Sequence, residues 1–239
     1  MDIAIQSSPQ GASRWTLIGL SLTMLMPSLA TSTANVALPD LARTFAASFQ
    51  AVQWIVLSYL LTITALIVAV GGLGDMVGRR RLLLVGTAIF ALGSLASGVS
   101  PSLSLLIAAR VVQGAGAAIM MALTMAVVGA VVPPDRTGSA MGLLGTMSAV
   151  GTTLGPAIGG LLIAWAGGRA IFLINVPLAI LALLIMVRTL PRDVPFKASS
   201  PVSIDFPGIG LLAAALRLIC LQLTVEPGCG IRPTQLLNR

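Results

Sequence analysis

Residues 71–81 read Gly-Gly-Leu-Gly-Asp-Met-Val-Gly-Arg-Arg-Arg, and their reading decides the fold. Asp75 is followed by three consecutive arginines, Arg79, Arg80 and Arg81, between two long apolar runs that are almost chargeless. An arginine at the centre of a bilayer costs ~2.5–3.5 kcal/mol even on the lenient insertion scale. Three in a row therefore mark a short connection at a membrane surface. Gly71, Gly74 and Gly78 allow such a connection to turn sharply between closely packed helices. An Asp75 at the beginning of a helix would complement the positive helix terminus and could pair with Arg79 or Arg80. The simpler alternative is a positive anchor on the cytoplasmic face. An anchor, however, has no need of placed glycines and a single acid.

Composition agrees with a membrane reading. The chain has 239 residues, of which 56% are hydrophobic and 9% charged, and its mean hydropathy is +1.00. A soluble domain carries about 25% charged residues, so this chain has too little polar surface to cover a water-soluble globule. The net charge of +7 reflects arginines gathered in cytoplasmic loops rather than a nucleic-acid surface, and aromatic stacking platforms are scarce. Histidine is absent, which excludes imidazole metal sites, catalytic triads and imidazole relays. Cys220 and Cys229 form neither a metal-ligand spacing nor a disulfide framework. No Ser or Cys with an adjacent base suggests an enzyme, and no cofactor is implied.

A helical span needs about 20 predominantly apolar residues. Six stretches qualify: 15–38, 52–73, 82–99, 103–132, 139–166 and 171–187. The first is too long, and its basic flank too weak, for a cleaved signal peptide. The organisation expected is a cytoplasmic tail (1–14), a six-helix bundle (15–187), a cytoplasmic linker (188–203), and a marginal seventh span with an atypical tail (204–239). The seventh apolar stretch, 209–223, is short and interrupted by Arg217. With the N-terminus in the cytoplasm of a cell or inner membrane, Arg14, Arg79, Arg80, Arg81, Arg136, Arg188, Arg192 and Lys197 fall inside. Only Arg43 and Arg169 fall outside, which satisfies the positive-inside rule. Two inverted three-helix repeats are a common transporter plan, although sequence similarity between the halves of this bundle is faint.

Two spans carry further signals. Arg110 lies in LIAARVVQGAGAA (106–118), near the start of the fourth span. A buried Arg needs a partner or water and is a functional hypothesis by default; the alternative is snorkelling to the nearby interface. Gln113 lies three residues on, on the same helix face, where it could hydrogen-bond a substrate or a partner. In the fifth span, GTTLGPAIGG (151–160) places Gly151, Gly155 and Gly159 on one face, with Gly160 beside them. Small residues there let another helix approach, and Pro156 favours a kink. Plain helix packing is the bland alternative. No Lys follows these glycines, so they are not a phosphate loop, and Gly114–Gly116 is not a dinucleotide fingerprint.

Together these motifs resemble the major facilitator superfamily, in particular its fourteen-span drug:proton antiporter branch. The 71–81 stretch resembles the G-x-L-x-D-x-x-G-R-R signature between the second and third spans, R-x-x-Q-G-x-G resembles the fourth-span motif, and GPxxGG looks like the antiporter motif. NVALP (35–39) and RAIFLINVP (169–177) agree with that branch. The resemblance implies an all-α membrane protein, the six-helix N-terminal bundle of the fold. It further implies alternating access by proton antiport, exporting small hydrophobic or amphipathic compounds across the lipid bilayer. Arg110 and Gln113 would serve proton coupling and substrate contact. Gly155, Pro156 and Gly159 would supply a bending helix. Gly71, Asp75, Gly78, Arg79 and Arg80 would form a cytoplasmic gate that contacts a C-terminal half.

The pattern also departs from the family. Gly72 and Met76 stand where a basic residue is frequent, and Gly168 replaces a tryptophan beside Arg169. Ala30 stands where an acid is often found in the first span, so the proton-carrying carboxylate is unidentified and could reside in a missing half. After Ala215 the pattern is lost, which reads as a truncated or frameshifted continuation. The rival readings are a non-transporting fragment, a partner for another half-transporter, or a metabolite facilitator.

Overall fold

The computed structural model describes residues 14–190, apart from the side chains of Val68 and Asp75. The linker, the marginal seventh span and both cysteines lie outside the described residues. Among the described residues seven helices follow one another: α1 (Arg14–Thr44), α2 (Phe49–Val77), α3 (Arg79–Val99), α4 (Leu103–Val131), α5 (Pro134–Ala166), α6 (Ala170–Leu173) and α7 (Asn175–Thr189). With α6 and α7 taken together, six helical segments are long and apolar enough to cross a bilayer. A 29-residue helix such as α4 is about 43 Å long, against a hydrocarbon core of about 30 Å.

Local chemistry sets the helix ends and moves several of the expected boundaries. The first span runs beyond Leu38, through Pro39 and Asp40, to Thr44. Pro39 forfeits only its own bond to the carbonyl of Asn35, an exposed residue. Helix α5 starts at Pro134, five residues earlier than expected: Pro suits the first helical position, and Asp135 lies in the positive first turn. The sixth span is interrupted at Ile174, because Pro177 has no N–H for the carbonyl of Leu173.

The largest difference concerns 71–81. The expected loop is a single residue, Gly78, whose φ of 103° is open to glycine and strained for other residues. Gly71 and Gly74 are helical rather than turning, and Asp75 occupies the last turn of α2 rather than the beginning of a helix. Its backbone therefore sits at the negative end of α2, where the dipole argument made for it does not apply.

Helix α1 packs mainly on α5, and α4 packs on α2 and α3, while α7 closes the bundle against α1 and α3. Exchanging the first three spans with the last three maps the α1–α5 seam onto the α4–α2 seam. It also maps α1–α7 onto α4–α3 and returns α3–α7 to itself, which is the contact pattern of two three-helix repeats. Bulk water exclusion does not drive helices together in lipid, so close approach matters. Between α3 and α4 the approach is backbone to backbone: a Cβ on Gly93 would lie 2.6 Å from the amide nitrogen of Gln113. Two apolar clusters result. One holds Leu20, Met24, Leu83, Phe90, Met120 and Met186, and the other Ala37, Leu41, Ile55, Ile107 and Phe172.

Candidate substrate and coupling sites

Arg110 sits where the two apolar clusters meet, in the third turn of α4 and with no exposed surface. Snorkelling is thereby ruled out for this conformation. The guanidinium Nε donates to the carbonyl of Ile55 at 3.0 Å, and Nη1 donates to Gln113 Oε1 at 2.7 Å. Gln113 Nε2 then donates to Ser94 Oγ at 2.7 Å, which in turn donates to the carbonyl of Phe90. Arg110 Cζ stands 4.0 Å from the centroid of the Tyr59 ring and 5.6 Å from that of Phe172, within cation–π range. Nη2 is buried without a hydrogen-bond partner among the described residues. The relay thus joins α2, α4 and α3 through neutral partners and one positive charge. Gln113 is fully buried, and its amide faces Arg110 and Ser94 rather than an open surface. Tyr59 is the base on which Arg110 rests.

The expected glycine face of α5 is turned toward α1. A Cβ on Gly151 would lie 2.7 Å from the carbonyl oxygen of Leu25, one on Gly155 would collide with Ser32, and one on Gly159 would lie 3.4 Å from Thr33 Cα. Gly160 meets open space, and Pro156 lies on the exposed face of an unbroken helix. Hydroxyls stitch the seam: Ser28 and Ser148 lie 2.6 Å apart, and Ser32 Oγ donates to the carbonyl of Thr152 at 2.8 Å.

Along the same seam opens a cavity of about 290 Å³, lined by Ser28, Thr31, Ser32, Asn35 and Thr152. Sequence reasoning missed it. The signal was present in 28–35, whose polar residues recur at the three- and four-residue spacing of one helix face. A 310 Å³ neighbour lined by Leu25, Leu29, Leu154, Ile158 and Pro177, among others, is wholly apolar.

At the end of the bundle that holds Gly78, Arg79 Nη1 donates to the carbonyl of Ala126 at 3.1 Å. Arg80 Nη2 donates to the carbonyl of Val187 in the last turn of α7 at 2.7 Å, where a cation suits the negative helix end. Gly71 has nothing within reach of an added Cβ. At the opposite end, Asp40 Oδ2 accepts the amide of Gly168 at 2.8 Å, and Arg169 lies over the Phe45 ring at 5.1 Å.

The family model described as Major Facilitator Superfamily matches residues 20–224. The chain belongs to the major facilitator superfamily. Among curated relatives, it is 36% identical over 207 residues to the riboflavin transporter RibZ of Clostridioides difficile (strain 630), covering 87% of this chain and 45% of that protein. It is 36% identical over 235 residues to the methylenomycin A resistance protein of Bacillus subtilis (strain 168), covering 98% and 50%. It is 34% identical to MdtD of Klebsiella pneumoniae subsp. pneumoniae, a protein provisionally assigned to multidrug resistance, covering 93% and 46%. The chain thus spans about half the length of the curated relatives it matches.

Solved structures agree on the fold of this multi-pass membrane protein. A bacterial homologue of the lysosomal transporter Spinster, inward-facing and occupied, superposes with a TM-score of 0.66 at 20% identity, covering 79% of this chain and 46% of that one. The peptide transporter POT in complex with sulfate gives 0.68 at 15% identity, covering 87% and 45%.

Proposed function

We propose that this chain forms the N-terminal half of a proton-driven exporter of small hydrophobic or amphipathic compounds. The observation that carries the reading is the α1–α5 seam. Glycines 151, 155 and 159 seat α5 directly on α1, and the seam opens into a polar cleft. A close, side-chain-poor contact lets one helix tilt on another with little repacking, and Pro156 weakens the backbone of α5 at that level. The Arg110–Gln113–Ser94 relay couples α2, α3 and α4 to that movement. Its charge state is balanced by a carboxylate elsewhere in the complete transporter. The turn at Gly78, with Gly71, Asp75, Arg79 and Arg80, forms the cytoplasmic gate, and the N-terminus faces the cytoplasm of the cell membrane. Identity to the methylenomycin A resistance protein and to MdtD favours efflux of toxic compounds.

Identity to RibZ favours a second reading, a metabolite facilitator. Vesicles carrying this chain, alone and with a separately expressed C-terminal half, distinguish the two. Loaded chloramphenicol should leave under an imposed proton gradient and stop when nigericin collapses it. Gradient-dependent riboflavin movement without chloramphenicol movement would replace the drug reading with the metabolite one. No gradient-dependent flux of either compound in any combination would overturn both.

A further inference from the structure

Beside α5, the α1 cleft presents an unusual hydrogen-bonding surface. Every hydroxyl donor around it is already occupied. Thr31 Oγ1 donates to the carbonyl of Pro27 at 3.0 Å, and Ser32 Oγ to that of Thr152 at 2.8 Å. Thr152 Oγ1 donates to the carbonyl of Ser148 at 3.1 Å. Ser28 lies within reach of both the Met24 carbonyl and Ser148 Oγ. Asn35 uses one amide hydrogen on the carbonyl of Thr31, keeping its carbonyl oxygen and one donor. A hydroxyl whose proton is engaged still offers oxygen lone pairs. The cleft therefore faces outward chiefly as a set of acceptors.

Its electrostatics point the same way. No carboxylate lines it. Asp40, five residues beyond Asn35, is about 140° around the helix and accepts the amide of Gly168. A positive charge stands close behind the helix that forms its wall. The Tyr59 hydroxyl donates to the carbonyl of Pro27, one turn before Thr31, and Arg110 lies over the face of the same ring. Among the described residues that line this cleft a cation would meet no counter-charge, while the Arg110 guanidinium stands on the ring whose hydroxyl reaches the cleft's helix, and like charges repel. A neutral ligand bearing hydroxyl or amide N–H donors would satisfy the acceptors at no such cost.

We propose that the cleft formed by Ser28, Thr31, Ser32, Asn35 and Thr152 selects uncharged amphipathic ligands that carry hydroxyl or amide hydrogen-bond donors, and discriminates against lipophilic cations. This rests on the transport reading above, and names the substrate class of the same machinery. Asn35 and Thr152 are the specificity determinants best placed for testing, because both are exposed on the bundle and their replacement leaves its packing intact.

Equilibrium binding to the full chain in lipid nanodiscs, with no gradient present, tests it. The probes are chloramphenicol, which is neutral and carries two hydroxyls and an amide N–H; its diacetate, which lacks both hydroxyl donors; and the tetraphenylphosphonium cation. Chloramphenicol should bind saturably, and the diacetate at least tenfold more weakly, as the loss of two neutral hydrogen bonds implies. Tetraphenylphosphonium should not compete. Thr152→Val should weaken chloramphenicol binding about fivefold, the worth of one hydrogen bond, while Thr152→Ser retains it. Asn35→Asp should admit tetraphenylphosphonium. Equal affinity for chloramphenicol and its diacetate, competition by tetraphenylphosphonium in the unmodified chain, or no saturable chloramphenicol binding would each overturn the inference. The expected binding pattern without gradient-driven flux would instead remove the transport reading and leave the cleft's selectivity standing.

Discussion

The bundle holds two polar regions whose organisation is opposite. Around Arg110, polar atoms from three helices close on one another: carbonyl, guanidinium, amide and hydroxyl form one chain with no exposed surface at Arg110, Gln113 or Ser94. Along α1, the Thr31 hydroxyl donates to a carbonyl of its own helix and that of Ser32 to a carbonyl of α5, leaving their outer lone pairs on an open cleft. The first region is tied across helices and is sensitive to helix movement. The second is satisfied mostly within α1 and along its seam with α5, and its outer face is not tied to a third helix. Tyr59 links them: its face carries Arg110, and its hydroxyl reaches the carbonyl of Pro27 at 3.2 Å.

Breaking the closed region should have the largest effect. Arg110→Ala removes the cation from Tyr59 and strands Gln113, whose Oε1 then loses its donor. Proton-gradient-driven export by a complete transporter should fall to background while membrane insertion is unaffected, as read by vesicle flux alongside membrane fractionation. Unchanged proton-driven flux would remove Arg110 from coupling. Arg110→Lys should not restore flux, because an ammonium cannot reach both the Ile55 carbonyl and Gln113 with the guanidinium's fixed fork.

The two seams can be compared by adding bulk. Gly93→Leu forces a side chain into the backbone of α4 at Gln113 and should cost about 3 kcal/mol or more, since backbone cannot yield as a flexible side chain can. Gly155→Leu meets Ser32 and should cost about 1–3 kcal/mol, with α1 and α5 forced apart. Gly160→Leu, on the same motif but facing open space, should stay within about 0.5 kcal/mol of the parent. Detergent-unfolding curves read all three. Equal losses at Gly155 and Gly160 would show that the motif acts through helix propensity rather than through its seat on α1.

Much of this was legible in one dimension. Apolar length marked the six spans, and the three-residue step from Arg110 to Gln113 placed them together. What pairs with them was not legible: Tyr59, Ser94 and the carbonyl of Ile55 come from other helices, and no local pattern encodes their approach. The turn at Gly78 was hidden by its neighbours, because Gly71 and Gly74 carry the same conformational freedom yet are held helical within α2. The cleft failed for a different reason. Ser28, Thr31, Ser32 and Asn35 have the right spacing, but serine and threonine are tolerated in membrane helices by bonding their own carbonyls, so the stripe looked like filler in an apolar run.

A smaller loss than at the buried glycines is expected at the end of α1 remote from Gly78. Asp40→Asn keeps the size and a carbonyl oxygen but exchanges a charged acceptor for a neutral one at the Gly168 amide. A hydrogen bond to a charged group exceeds a neutral one by about 0.5–1.5 kcal/mol, and partial exposure places the expected loss at the lower end. Gly168→Ala should cost more than Asp40→Asn, because the new Cβ would stand 2.5 Å from Asp40 Oδ2. Asp40→Ala should relieve that clash, so the double variant should be less destabilised than the two single losses summed. Strict additivity in unfolding curves would mean that Asp40 and Gly168 act independently, and that α1 is not pinned to the turn before α6.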